Sequence, residues 1–155
     1  MSIIDSKLFH KTVPSQGKLL AIDVGTKRIG IAVSDELRML TTPRKIIVRQ
    51  SNEKDFTQIK NFVVEENVVA IVIGFPINMD ATLNDMSIFA KKFGEELDKF
   101  LRESSKDLPI FFADERLTSF EAKQIALSLD SRKKNKHHDD VAATIILRDF
   151  LDLVS

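Results

Sequence analysis

The stretch that most limits the possible folds is Val68-Val69-Ala70-Ile71-Val72-Ile73-Gly74, which is apolar at every position. A segment with no polar face, too short for a free helix, fits a strand buried on both faces in the middle of an α/β sheet. Parallel neighbours of such a strand need long, usually helical, connections, and helical spacing occurs on both sides of it. Before it come Phe56, Ile59 and Val63, after Asn52 as a candidate cap and before an end near Glu66 or Asn67. After it come Leu83, Met86, Ala90, Phe93, Leu97 and Phe100 in steps of three and four, a helix of roughly 20 residues and ~30 Å that can start at Asp80 or Thr82. These Phe and Met residues are expected to be ordinary core.

Two further apolar runs, Leu19 to Val24 and Ile29 to Val33, flank Gly25-Thr26-Lys27-Arg28 and predict a β-hairpin. Asp23 is its anomaly. A carboxylate in so apolar a strand is costly to bury unless a metal ion, a lysine or arginine, or backbone N–H groups compensate it, or unless it caps its own turn.

Residues 1–17 are polar and mixed and contain Pro14, which predicts a poorly ordered leader with a solvated His10, ahead of a single domain over 18–155. Thr42-Pro43 precedes a third strand, Arg44 to Val48. Pro109 opens a fifth, Ile110 to Ala113, which runs into Asp114-Glu115-Arg116. Thr118 and Glu121 have capping-box spacing ahead of a helix carrying Phe120, Ala122, Ile125, Ala126 and Leu129. Ser131 to Lys136 then holds four positive charges in six residues, and a last helix runs from His137-His138-Asp139-Asp140 to about Val154. The order β-β-β-α-β-α-β-α-α predicts an α/β fold, a mixed five-stranded sheet with helices on both faces.

Composition narrows the function classes. The 23 basic and 23 acidic residues cancel, which argues against indiscriminate coating of nucleic acid but leaves room for a local basic patch. With no cysteine, disulfides and thiolate metal sites are excluded. No apolar run is long enough for a membrane span and no secretory signal is evident, so the expected location is cytoplasmic, with no membrane partner. If strands one, four and five are parallel, Asp23, Asp114-Glu115 and Asp139-Asp140 gather at their carboxyl ends, the edge where α/β sheets place ligands.

Four blocks, Asp23-Val24-Gly25-Thr26-Lys27-Arg28-Ile29-Gly30, Gly74-Phe75-Pro76-Ile77-Asn78-Met79-Asp80, Asp114-Glu115-Arg116-Leu117-Thr118 and Asp139-Asp140-Val141-Ala142-Ala143, resemble in order the signature blocks of the YqgF (RuvX) family. Ala81 stands where that family usually has glycine. The resemblance covers Lys18 to Leu153. It implies an RNase H-like fold and a nuclease that processes the 5′ end of pre-16S ribosomal RNA, with Holliday junction resolution on branched DNA as the older assignment.

A nuclease of that kind uses clustered carboxylates to hold two Mg²⁺ or Mn²⁺ ions, and Asp23, Glu115 and Asp139 are the expected catalytic and metal-binding set. Helix phase selects Asp139 over Asp140. At 100° per residue, Ala142, Ala143, Ile146, Phe150 and Leu153 lie within about 60° of the direction of Asp139, and Arg148 lies opposite. Lys27, Arg28, Arg116, Arg132, Lys133, Lys134 and Lys136 are the expected nucleic-acid contacts, while His137 and His138 are expected to be solvated or to face phosphate. The Asp-x-Gly-Thr turn also resembles the phosphate-binding hairpin of actin-like ATPases and sugar kinases, an alternative without nuclease activity. A nucleic-acid-binding scaffold with vestigial carboxylates is another.

Overall fold

The computed structural model describes residues 3–115 and 138–155, the side chains of Ile3 and of 138–140 excepted. Its sheet contains the five expected strands, β2 (Lys18–Val24), β3 (Arg28–Ser34), β4 (Thr41–Val48), β5 (Val68–Phe75) and β6 (Ile110–Asp114). A short sixth strand, β1 (Ile3–Ile4), adds to one edge, giving the order β1-β6-β5-β2-β3-β4. The pairs β1·β6, β6·β5 and β5·β2 are parallel, and β2·β3 and β3·β4 are antiparallel. Pro43 is accommodated because β4 is an edge strand with one neighbour and a register shift opposite Ile31/Ala32.

Alternation along the strands assigns the faces. Leu20, Ile22 and Val24 of β2, Ile71 and Ile73 of β5 and Ile110 of β6 pack under α2 (Asn52–Glu65) and α3 (Asp85–Glu103). Leu19 and Ala21, Ala70 and Val72, and Phe111 and Ala113 pack on the other face, under α4 (His138–Val154). The first face is built of large aliphatics, whereas the second is lined largely by alanine, which lets α4 approach its backbone closely.

The N-terminal segment differs from the expected disordered leader. After β1, a 3₁₀ turn at Ser6–Leu8 leads into α1 (Phe9–Thr12). Phe9 is buried against Phe111 and Phe150, with ring centroids 5.4 and 5.6 Å away, and Val13 joins the same cluster. Nor is His10 simply solvated, since its Nε2 donates to the carbonyl of Val154 at the end of α4. The apolar burial of Phe9 and Val13 orders a segment whose average composition is polar.

Two helix starts also differ from expectation. Ser51, not Asn52, caps α2, its hydroxyl accepting from the Lys54 N–H at 3.2 Å. The start of α3 is at Asp85, capped by Asn84 in a reciprocal box with Ser87. Asp80 and Thr82 are held instead in the preceding turn, where Asp80 Oδ1 accepts from the Thr82 N–H at 3.0 Å. Leu83 therefore precedes the helix and is exposed, as is Met86, while Ala90, Phe93 and Leu97 are buried as the spacing predicts.

Candidate active site at the carboxyl edge of the sheet

Asp23 is the penultimate residue of β2. It is half-buried, pairs with Gly30 across β3, and by alternation faces α4 with Leu19 and Ala21. The turn that follows closes tightly. The Gly25 N–H donates to the Arg28 carbonyl at 2.8 Å, and a Cβ on Gly25 would lie 2.6 Å from that oxygen, so the turn requires glycine. Lys27 and Arg28 are exposed on this turn, and the Lys27 carbonyl accepts from the Arg49 N–H at 2.9 Å.

The register carries the same edge across β5 and β6. Ile22 pairs with Ile73, Gly74 with Ala113, and Phe75 with Asp114. Phe75 and Phe112 turn to the α3 side with ring centroids 5.2 Å apart, and Asp114, two residues beyond Phe112, alternates to that side with it. Glu115 goes to the opposite side. Its carboxyl carbon lies 3.4 Å from the point where a Cβ on Gly74 would stand, and Ile146 Cδ1 of α4 lies 2.6 Å from that point. Asp23, on β2, and Glu115, directly after β6, thus belong to one face either side of β5, whose last residue on that face, Gly74, has no side chain.

The last helix begins at His138, within the expected range. Asp139 occupies the helical position that precedes Ala142, Ala143 and Ile146 by three, four and seven residues, and all three are buried against the sheet. Arg148 is exposed, as the phase predicts. At the far end the stripe shifts. Leu153 is 56 % exposed, and Leu151 and Val154 pack against the core instead, on the flank that α1 covers. Because α4 runs from the carboxyl edge back toward α1, the positive end of its dipole is directed to the side of the two carboxylates.

Among the described residues no three acidic or histidine side chains come close enough to hold a metal ion. Asp23 and Glu115 are described, and the side chains of Asp139 and Asp140 lie outside the described residues. So do Arg116, Arg132, Lys133, Lys134, Lys136 and His137, along with the helix expected after Thr118.

The dense hydrogen bonding of the loop that leaves β5 was not anticipated from the sequence. Asn78 donates through Nδ2 to Thr82 Oγ1 at 2.9 Å and its N–H donates to the Thr82 carbonyl at 2.9 Å. Asn84 Nδ2 donates to the Pro76 carbonyl at 2.7 Å and to Asn78 Oδ1 at 3.0 Å. Ala81, where the YqgF pattern has glycine, adopts φ +71° to close the turn. The density of Asn, Asp and Thr was the available signal.

The model of the family described as RuvX, Holliday junction resolvase, matches residues 17–153. The chain belongs to the RuvX family. A RuvX relative from Carboxydothermus hydrogenoformans is 39 % identical over 140 residues, 89 % of this chain and 98 % of the relative. One from Roseiflexus is 36 % identical over 138 residues, 88 % of this chain and 94 % of the relative, and one from Rickettsia peacockii is 32 % identical over 156 residues, 99 % and 98 %. All three carry the provisional name pre-16S rRNA nuclease. Among solved structures, T. thermophilus RuvC in complex with a Holliday junction substrate superposes with a TM-score of 0.53 at 11 % identity, covering 90 % of this chain and 96 % of that one. That likeness shows an RNase H-like fold. The RuvX match starts at Gly17 and so leaves out β1 and α1, whereas the Rickettsia relative aligns over 99 % of the chain.

Proposed function

We propose that this RuvX chain is a nuclease that hydrolyses phosphodiester bonds at the carboxyl edge of its sheet, acting in the cytoplasm on the precursor of 16S ribosomal RNA. The observation that carries it is the placement of Asp23 and Glu115 on one face at the ends of β2 and β6, either side of Gly74. The substrate follows from the names of the curated relatives.

The donors present fit Mg²⁺ or Mn²⁺. They are carboxylate oxygens without thiol or imidazole from described residues, the set that hard divalent ions prefer, and the Glu115 carboxyl group lies beside Gly74, on the face of the sheet to which Asp23 belongs. Asp23, Glu115 and Asp139 would hold the metal. When bound, the ion activates water and offsets charge on the phosphate under attack. The chain's own share begins with its charges. Like charges gathered in this way repel one another, and the N-terminus of α4 counters part of that repulsion. Lys27 and Arg28, exposed at the neighbouring turn, meet substrate phosphates, with Arg116 and the basic stretch Arg132, Lys133, Lys134 and Lys136 extending the interface. The hydrogen-bonded loop after Gly74 bounds the edge.

A second reading, cleavage of branched DNA, is favoured by the description of the family model as a Holliday junction resolvase. One experiment separates the two: labelled pre-16S rRNA and a four-way DNA junction are each incubated with the protein and Mg²⁺ or Mn²⁺, with chelator, and with Asp23→Asn. Cleavage of the RNA that chelator and Asp23→Asn both abolish is expected. Cleavage of the junction alone would transfer the assignment to DNA. No metal-dependent cleavage of either would refute the nuclease.

A further inference from the structure

Building on that nuclease reading, we propose that Ile146 is a positioning residue for the carboxylate site, acting through the notch that Gly74 leaves in the sheet. Gly74 is the last residue of β5 to face α4. A methyl group there would lie 2.6 Å from Ile146 Cδ1 and 3.4 Å from the Glu115 carboxyl carbon, so the tip of Ile146 and the Glu115 carboxyl group border one small volume above the Gly74 backbone.

The setting makes this approach decisive. The sheet beneath α4 offers Ala21, Ala32, Ala70 and Ala113, and α4 answers with Ala143, so small side chains let helix and sheet come close. Ile146, Leu147 and Phe150 are the bulky helix members of that cluster, all buried, and Ile146 is the one whose tip reaches the Gly74 notch. How deeply it enters the Gly74 notch therefore sets the height of the helix over the carboxyl edge. Asp139 precedes it by seven residues, close to two turns and about 10 Å along the axis, and a helix moves as a unit. The Glu115 carboxyl group borders the same notch. One apolar side chain thus positions carboxylates that arrive from two separate elements.

Gly74→Ala, Ile146→Val and the double variant test this. The added Cβ would stand 2.6 Å from Cδ1, so the tip of the buried Ile146 side chain must shift, whereas its 3.4 Å approach to the Glu115 carboxyl carbon is an ordinary contact, and any displacement of Glu115 therefore passes through Ile146; Ile146→Val removes Cδ1. In the crystal structure of Gly74→Ala the Glu115 carboxylate is expected to be displaced, with Mn²⁺ affinity by calorimetry and cleavage rate both falling, cleavage by up to about a hundredfold, the scale of an ångström-size misplacement. In the double variant the carboxylate returns and most of the affinity and rate are recovered. A purely structural role would lower the thermal midpoint of Gly74→Ala and leave carboxylate position and Mn²⁺ affinity as they were. An unmoved carboxylate in Gly74→Ala, or a folded double variant in which it stays displaced, overturns the proposal. If Gly74→Ala does not fold, Ile146→Val alone decides: the emptied notch lets the Glu115 carboxylate move toward it, and an unmoved carboxylate again overturns the proposal. Wild-type protein that cuts neither substrate, together with a displaced carboxylate in Gly74→Ala, would refute the nuclease and leave the positioning role standing.

Discussion

Arg49 Nε donates to Asp55 Oδ2 across 3.2 Å, and Asp55 has no solvent exposure. The other oxygen of Asp55 accepts from the Gln50 N–H at 3.2 Å, and a second nitrogen of Arg49 donates to Asn52 Oδ1 at 2.7 Å. The guanidinium carbon lies 5.4 Å from the Phe89 ring centroid and 5.3 Å from that of Phe93. This pair, with its carboxylate buried and its guanidinium half-buried, ties the chain just beyond β4 to α2 and α3. Asp55→Ala leaves the arginine without its counter-charge and is expected to destabilise the fold by about 3–5 kcal/mol. A shift in urea midpoint at constant slope measures it, and a loss below about 1 kcal/mol would show that the pair contributes little.

Ala81 holds φ +71° while its N–H donates to the Asn78 carbonyl at 2.9 Å. The left-handed conformation costs a residue with a Cβ about 1–2 kcal/mol. Glycine relieves that cost but gains about 0.4–1 kcal/mol of freedom in the unfolded chain. Ala81→Gly is therefore expected to stabilise by roughly 0.5 kcal/mol, a rise of about 1–2 °C in Tm. Calorimetry showing a lower Tm would mean the surrounding turn relaxes the strain already.

Helix phase separates the two aspartates at the start of α4. Asp139→Asn is expected to eliminate metal-dependent cleavage and weaken Mn²⁺ binding, because Asp139 shares its ridge with the buried Ala142, Ala143 and Ile146. Asp140→Asn should keep most of both, since it shares its ridge with the half-buried Thr144. The reverse pattern would place the last ligand at Asp140.

Asp35 Oδ1 accepts the N–H groups of Leu40 and Met39 at 2.9 and 2.8 Å, and the Leu40 bond is the main reason its carboxyl lies below the ordinary 3.8. A depressed carboxylate contributes stability that is present above its unfolded pKa and is lost as pH falls through the lower folded value. The Tm gap between wild type and Asp35→Asn should therefore hold steady between about pH 7 and about pH 5 and shrink below about pH 4. A gap that widens on acidification would contradict the assignment.

Neutralising Arg132, Lys133, Lys134 and Lys136 should weaken nucleic-acid binding and flatten its salt dependence. Each phosphate that the protein no longer neutralises reduces the slope by roughly 0.7–0.9. An unaltered slope in filter-binding titrations at several salt concentrations would exclude the stretch from the interface.

Much of the site's frame was legible because period-two patterning is local. Val68 to Gly74 read as a buried strand, the hairpin placed Asp23, and the sequence of acidic blocks gave the shared edge. The order of Phe9 was not legible, since its partners Phe111 and Phe150 lie more than a hundred positions away and α1 is only four residues long. The start of α3 was read at Asp80 or Thr82, and the hydrogen bonds of the folded turn make Asn84 the cap instead, because Asp80 and Thr82 are engaged with each other. The approach of Glu115 to Gly74 depends on a side-chain rotamer and on the closeness of α4, neither of which a pattern of residue types encodes.

The late position of α4 in the chain bears on biogenesis. The β2–β3 hairpin needs only a short loop closure and can form while the chain is still emerging, whereas α4 lies across β2, β3 and β4, which end at Val48, 90 positions before His138. Such long-range closures come late and slowly. Asp23 is thus held in a strand well before the helix bearing Asp139 has been synthesised. On the proposed site assignment, a nascent chain stalled short of α4 would carry an incomplete carboxylate set on the ribosome, and cutting power would be acquired only by the fully made domain.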